Sequence, residues 1–170
     1  MKIQSAFWKV CLVSLVLVGS GFAEGSKRLE SPDHKLVAAQ ITNPERLAIF
    51  RTIKGKECCT DTFNLNSNEI VTMGWSPDSR FLILTTRSTQ GHSPWHYPAY
   101  AYSSLDNTFR SIDEDTDLGS VVDPVFTFVS PNRASFKFVD PKIGWANMTP
   151  RVAHWKLGTW VKKSPNPPKR

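Results

Sequence analysis

The chain has 170 residues, with 21 Lys and Arg against 15 Asp and Glu, so its formal net charge at pH 7 is +6. That length holds one domain with a sizeable core but not two independent domains once a leader is removed. The positive bias is mild. Because the sequence has no aromatic RNA-binding signature and no basic helix, it also argues against nucleic acid as a partner.

The first 23 residues are typical of a secretory signal. Lys2 and Lys9 form a basic beginning, residues 10–18 are almost entirely apolar, and the small residues around Ala23 suit a signal peptidase. Cleavage is expected after Ala23. The apolar run is shorter than the roughly 20 residues that a spanning helix needs, so no stable membrane span is expected after cleavage. The sequence therefore predicts a periplasmic or secreted protein.

A short motif occurs three times and sets the expected architecture. Its copies are Ser31-Pro32-Asp33, Ser76-Pro77-Asp78 and Ser130-Pro131-Asn132, which lie 45 and 54 residues apart. Pro fixes φ for a type I turn, while Ser and Asp or Asn hydrogen-bond to their own backbone. The interval is close to the length of one four-stranded propeller blade.

The first unit, near residues 27–63, is expected to hold strands at 36–41, 47–53 and 58–63 after an opening strand near 27–30. Its last strand contains the adjacent cysteines Cys58 and Cys59. Adjacent Cα atoms lie about 3.8 Å apart, below the range of about 4.4 to 6.8 Å that disulfides favour. Three states stay open for this pair: a strained vicinal disulfide, thiols buried as small hydrophobes, or a bond to another chain.

The second and third units follow the same plan. Strands are expected at 70–75, 81–86, 99–103 and 108–112 in the unit near 70–112, and at 125–129, 134–139, 151–157 and 159–162 in the unit near 125–161. The strand 81–86 is apolar on both faces and is therefore expected to be buried on both sides. Residues 162–170 are basic and proline-rich and are expected to be a disordered tail. The predicted fold is all-β and antiparallel, built from three propeller-blade-like four-stranded units in a single domain spanning 24–161.

One segment of the sequence resembles a known family. The segment Trp75-Ser76-Pro77-Asp78-Ser79-Arg80-Phe81-Leu82-Ile83-Leu84 is similar to the β-propeller repeats of TolB-type periplasmic proteins and of prolyl oligopeptidase-type peptidases. In that pattern a Gly usually follows Asp, and this chain departs from it at His34, Ser79 and Arg133. The resemblance implies a binding scaffold. It supplies no catalytic residue, because such peptidases carry their nucleophile in a separate hydrolase domain.

Three blades leave a physical problem. Closed propellers have about four to eight blades, and an open stack exposes apolar faces and strand edges. Two solutions are open. Either a homodimer closes a six-bladed ring, or the three units of one chain collapse into a sandwich or barrel.

The connection 87–98 concentrates aromatic and titratable groups where a hairpin loop is usually small and polar. Its candidates for binding a ligand or partner are Arg87, His92, Trp95, His96 and Tyr97, because rigid rings offer stacking faces while imidazole and guanidinium groups offer hydrogen bonds. The alternative is that Trp95 and Tyr97 plug an open end of the sheet. No metal site is expected from the two histidines, since prolines exclude the helix that would align them.

The acidic segment after residue 112 resembles part of a calcium loop, with alternate carboxylates at Asp113, Asp115 and Asp117. Gly119 falls one place late and Pro124 stands where a bidentate Glu is needed. A solvated acidic turn is the default interpretation, and no cofactor is expected.

No Gly-x-Ser-x-Gly turn or other catalytic motif is present. The leading hypothesis is therefore an exported binding module, without an evident catalytic centre, that contacts a protein or a cell-envelope component. The alternative is a small exported hydrolase, or an inhibitor of one, that uses the loop 92–98.

Overall fold

The computed structural model describes residues 27–90, 96–115, 120–139 and 150–158, with only the backbone described at residues 114 and 115. Several sequence predictions concern residues outside that set: the leader with its cleavage point, His92, Trp95, Asp117, the side chain of Asp115, the strand 159–162 and the tail 162–170.

The first sheet is a four-stranded antiparallel meander of contiguous chain. Its strands, which lie side by side in chain order, are β1 (Arg28–Glu30), β2 (Leu36–Ile41), β3 (Arg46–Ile53) and β4 (Lys56–Asn64). A two-residue turn joins β3 to β4, with positive φ at Lys54 and Gly55, as hairpin turns that match strand twist require.

The second sheet repeats this order with β5 (Asn68–Trp75), β6 (Phe81–Ser88), β7 (Ala99–Ser103) and β8 (Thr108–Ser111). The last strand ends one residue before its predicted end because Ile112 begins α1 (Ile112–Asp115), a single helical turn.

The third sheet contains β9 (Ser120–Val121), β10 (Thr127–Ser130), β11 (Arg133–Val139) and β12 (Arg151–Lys156). Strand β10 pairs with the beginning of β11 and β9 pairs with its end, while β12 lies on the opposite side of β11. Strand β9 was not predicted, because two residues carry no periodic signal.

The second sheet lies between the other two. Leu82 and Leu84 share one hydrophobic cluster with residues of the first sheet, whereas Phe81 and Ile83 share a second cluster with residues of the third sheet. Full burial of each aliphatic side chain contributes about 1.5 to 3 kcal/mol. The expectation that β6 is buried on both faces is confirmed.

The turns at the first two motif copies share one hydrogen-bonding scheme. The Ser31 hydroxyl accepts the Leu36 amide at 3.0 Å and donates to the Asp33 carboxylate at 2.7 Å. Ser76 does the same with Phe81 at 2.9 Å and with Asp78 at 2.7 Å.

The residue after Asp explains why Gly is usual at that position of the pattern. His34 and Ser79 have φ of 58° and 61°, a left-handed conformation that Gly adopts without strain. At the third copy the chain differs, since Arg133 belongs to β11 and pairs directly with Ser130.

The predicted all-β antiparallel fold of three four-stranded units is confirmed, and none of the three sheets closes into a barrel. The one helical segment among the described residues is α1. Within those same residues no helix has the length and apolar character needed to cross a membrane.

Candidate functional site

The candidate residues that the structure describes gather at one end of the second sheet. There β6 ends, the connection 87–98 returns to β7, and β8 runs into α1. The Ser-Pro-Asp turns lie at the opposite end. This end of the second sheet is therefore formed by loops.

The central feature of this end is a contact between His96 and Asp113. The Nε2 atom of His96 lies 3.4 Å from Oδ2 of Asp113, and the side chains are 37% and 18% exposed. The same carboxylate oxygen accepts the backbone amide of Ala99 at 3.0 Å. The pair thus brings together one residue of the aromatic loop and one of the acidic segment, which the sequence suggested separately. We call it the His96–Asp113 pair.

Backbone hydrogen bonds hold the loop end in position. The Pro98 carbonyl accepts both the amide of Thr86 at 2.9 Å and its hydroxyl at 3.1 Å. The Tyr97 amide donates to the Val121 carbonyl of β9 at 2.9 Å, which links this end of the second sheet to the third. His96 is therefore presented by an anchored segment.

Tyr97 and Arg87 both contact neighbouring parts of the domain. Tyr97 is half-buried and packs against the cluster shared by the second and third sheets, as Phe126 and Phe128 also do. Arg87 forms an ion pair with Glu69 on the neighbouring strand while remaining 66% exposed. The ring of Tyr97 therefore contacts the core, and Arg87 forms a cross-strand ion pair on the same sheet.

Two polar atoms of the pair lie buried without a hydrogen-bond partner, Nε2 of His96 and Oδ1 of Asp113. The 3.4 Å approach of the imidazole to Oδ2 does not satisfy hydrogen-bond geometry. Leaving a buried polar atom unpaired costs about 1 to 3 kcal/mol. A bound group would recover part of that cost only by displacing the groups that cover Oδ1 and Nε2.

The calcium interpretation finds no support among the described residues. Asp113 is directed to the Ala99 amide and to His96. No cluster of three or more His, Cys, Asp or Glu side chains suited to a metal ion occurs in the described part of the chain.

The adjacent cysteines lie on β4, where both are free and exposed. Cys58 is paired across the sheet with Arg51, and Cys59 with Phe50, so the two side chains point to opposite faces. The thiols are therefore not buried as small hydrophobes. A vicinal disulfide between them would disrupt the pairing of β4 with β3. Partial burial raises the pKa of the Cys59 thiol, although a hydrogen bond to the Asp61 backbone opposes this shift.

Sequence reasoning named His96 and Asp113 but did not pair them. The signal lay in the hairpin register. Tyr100 pairs with Ser111, so continuing the ladder outward by two residues places Pro98 opposite Asp113, with His96 close by.

Comparison with known proteins gives little further information. No protein-family model matches the chain, and no curated protein matches it. Among solved structures, that of TolB from Acinetobacter baumannii is similar over 79% of this chain with 15% sequence identity and a TM-score of 0.41. The chain spans 31% of the length of that protein.

Proposed function

We propose that this protein is an exported, propeller-like binding module whose contact surface is the loop end of the second sheet, centred on the His96–Asp113 pair. It is periplasmic or secreted, with a leader over residues 1–23, a β domain over 24–161 and a free basic tail over 162–170. Its partner is a protein or another component of the cell envelope.

The observation that carries this proposal is the pair of buried, unpartnered polar atoms beside a half-exposed imidazole. Buried polar groups in folded proteins are almost always hydrogen-bonded, so an exception at a loop end calls for an explanation. A partner that displaces the groups covering the His96–Asp113 pair and supplies the missing hydrogen bonds provides one. Binding surfaces on β scaffolds commonly lie on such loops, which rigid strands hold in place.

Site-specific photocrosslinking tests the location of the surface. A photoreactive phenylalanine in place of Gln90, which is exposed at the start of the loop, is expected to give adducts of discrete mass in intact cells. The matched control position is Leu105, which is 65% exposed in the hairpin at the opposite end of the same sheet. Equal adducts from both positions, or none from Gln90, would contradict the proposal.

A second variant tests the pair itself. His96→Gln in the Gln90 crosslinking background retains polarity and approximate size but removes the imidazole. We expect the adducts to weaken while the melting temperature stays unchanged. If adduct yield follows the melting temperature instead, His96 has only a structural role.

Trp95→Ala tests whether Trp95, which precedes His96 in the sequence, is a contact residue or a core residue. Truncating a core Trp costs about 3 to 5 kcal/mol of stability, whereas truncating an exposed anchor costs little stability but weakens binding. Retained stability with lost crosslinking would support the contact role. Collapse of the fold would assign Trp95 to the plug.

Export is tested separately. Fractionation and intact mass of the protein recovered from cells are expected to place it outside the cytoplasm and to show cleavage after Ala23. A cytoplasmic chain that keeps its first 23 residues would refute this part of the proposal.

The His–Asp contact also favours a second candidate, a small hydrolase. In acyl-transfer sites a carboxylate orients a histidine that acts as a base. Nε2 of His96 has no hydrogen-bond partner among the described residues, so no nucleophile is paired with that atom. Ester and peptide hydrolysis abolished by His96→Gln and Asp113→Asn alike would support this candidate, and inhibition of an added hydrolase would support the inhibitor role.

A further inference from the structure

Strand β4 is an open, exposed edge that carries two thiols. It is the last strand of the first sheet, and within the described chain its one neighbour is β3. With nine residues it is also the longest of the described strands, and residues 56–60 along it are all exposed. A long exposed edge offers a row of backbone groups to a second strand.

The thiols on this edge have no disulfide partner within the described chain. The chain contains three cysteines, and Cys11 lies in the predicted leader. Cys58 and Cys59 point to opposite faces of the sheet, so they do not bridge each other while β4 stays paired with β3. In an oxidising compartment a disulfide at this position must therefore join two molecules.

We propose that two copies of this chain pair antiparallel through β4 and are joined by a disulfide between Cys58 of each copy. The inference rests on the proposed export, because cytosolic thiols are kept reduced. This pairing gives the unpaired edge of β4 a specific partner strand and fixes the register between the two copies.

Symmetry and the β-bulge in β4 select that register. When identical antiparallel strands pair about a two-fold axis, the side chains that oppose each other must lie on the same face of the sheet. The axis must therefore pass between the two copies of a single residue, which oppose each other. An axis at Cys58 sets it opposite Cys58 of the second copy and sets Glu57 opposite Cys59. An axis at Cys59 would instead set Cys58 opposite Thr60, the extra residue of the β-bulge between Cys59 and Asp61, and a bulge interrupts the hydrogen-bond ladder.

The geometry of such a pair suits a disulfide. Directly opposed residues in antiparallel strands have Cα atoms about 4.5 or 5.5 Å apart, within the range of about 4.4 to 6.8 Å that the bond favours. Cys59 is the less available thiol, because its Sγ already lies 3.7 Å from the Asp61 carbonyl as a weak donor. In the reaction the two Cys58 thiols give up two protons and two electrons to a disulfide oxidant, which leaves as two thiols.

Oxidation of the purified protein tests the bond independently of export. The full chain, carrying Cys11→Ser so that any retained leader adds no thiol, is treated with oxidised glutathione and examined by non-reducing electrophoresis, intact mass and light scattering. We expect a covalent dimer that Cys58→Ser abolishes and Cys59→Ser keeps.

Three results would overturn the inference: a monomer carrying glutathione, a monomer lighter by two hydrogens, or a dimer that depends on Cys59 alone. Recovery of the dimer from purified protein, but only reduced monomer from cells, would refute export and leave the bond intact. Both serine variants change exposed side chains, so their fold should be unaltered by circular dichroism.

Discussion

The hydroxyl of Ser76 should be worth far more to stability than that of Ser130, although both occupy the first place of the same motif. Ser76 is fully buried, and its Oγ accepts the Phe81 amide at 2.9 Å while donating to Asp78 at 2.7 Å. Ser76→Ala leaves the buried amide unsatisfied and removes a bond to a carboxylate, so we expect a loss of about 3 kcal/mol in the free energy of unfolding.

Urea denaturation followed by tryptophan fluorescence measures this difference. With a dependence of about 2 kcal/mol per molar urea, the midpoint of Ser76→Ala should fall by about 1.5 M. Ser130 is only half-buried and its hydroxyl bonds to Asn132 in an exposed turn, so Ser130→Ala should lose about 0.5 kcal/mol. Equal losses in the two variants would refute the view that the buried amide sets the cost.

Three further predictions concern the core and its titrating groups. Leu84→Ala, on the fully buried strand β6, should cost about 2 to 5 kcal/mol, and Val152→Ala, at a position 60% exposed, about 0.5 kcal/mol or less, as measured by the same denaturation. Burial, and secondarily the charge of Asp61, raises the pKa of Tyr102 from 10.0 to about 12. The contribution of Tyr102 to stability is therefore complete below pH 10 and declines as the pH rises toward 12. In Tyr102→Phe that decline should be absent from the melting temperature measured against pH. The hydrogen bond from Ser31 lowers the pKa of Asp33 below 3.8 despite partial burial. The contribution of Asp33 to stability is therefore present above pH 3.8 and is lost as the pH falls through the lowered pKa. In Asp33→Asn the melting temperature should fall less steeply at acidic pH.

The strands with the strongest side-chain patterns were the most predictable part of the fold. Strand β2 has the predicted bounds, and the apolar character of β6 on both faces correctly placed it between two layers. Strand β9 and the helical turn α1 were missed because they are too short to carry a period. Their positions are set by tertiary contacts, such as the hydrogen bond from Ala99 to Asp113.

The candidate site was predictable as a set of residue types but not as an arrangement. The aromatic loop and the acidic segment each stood out, yet the contact between His96 and Asp113 depends on where the hairpin β7–β8 sets its register. The positive φ of His34 and Ser79 was not predicted either, although the Gly usual at that position of the family pattern carried the signal. Local sequence reports composition and period, whereas the contact between His96 and Asp113 depends on which distant segments meet.

The linear order of the three sheets has a consequence for how the molecule opens. In a stack where each layer contacts only its neighbours, the end layers are held by one interface and the inner layer by two. Hydrogen exchange should therefore be slowest in β6 and faster in the first and third sheets, which can separate without unfolding the centre. The His96–Asp113 pair lies at the end of that inner layer, so its geometry should persist when the first sheet separates, whereas separation of the third sheet would break the hydrogen bond from Tyr97 to Val121.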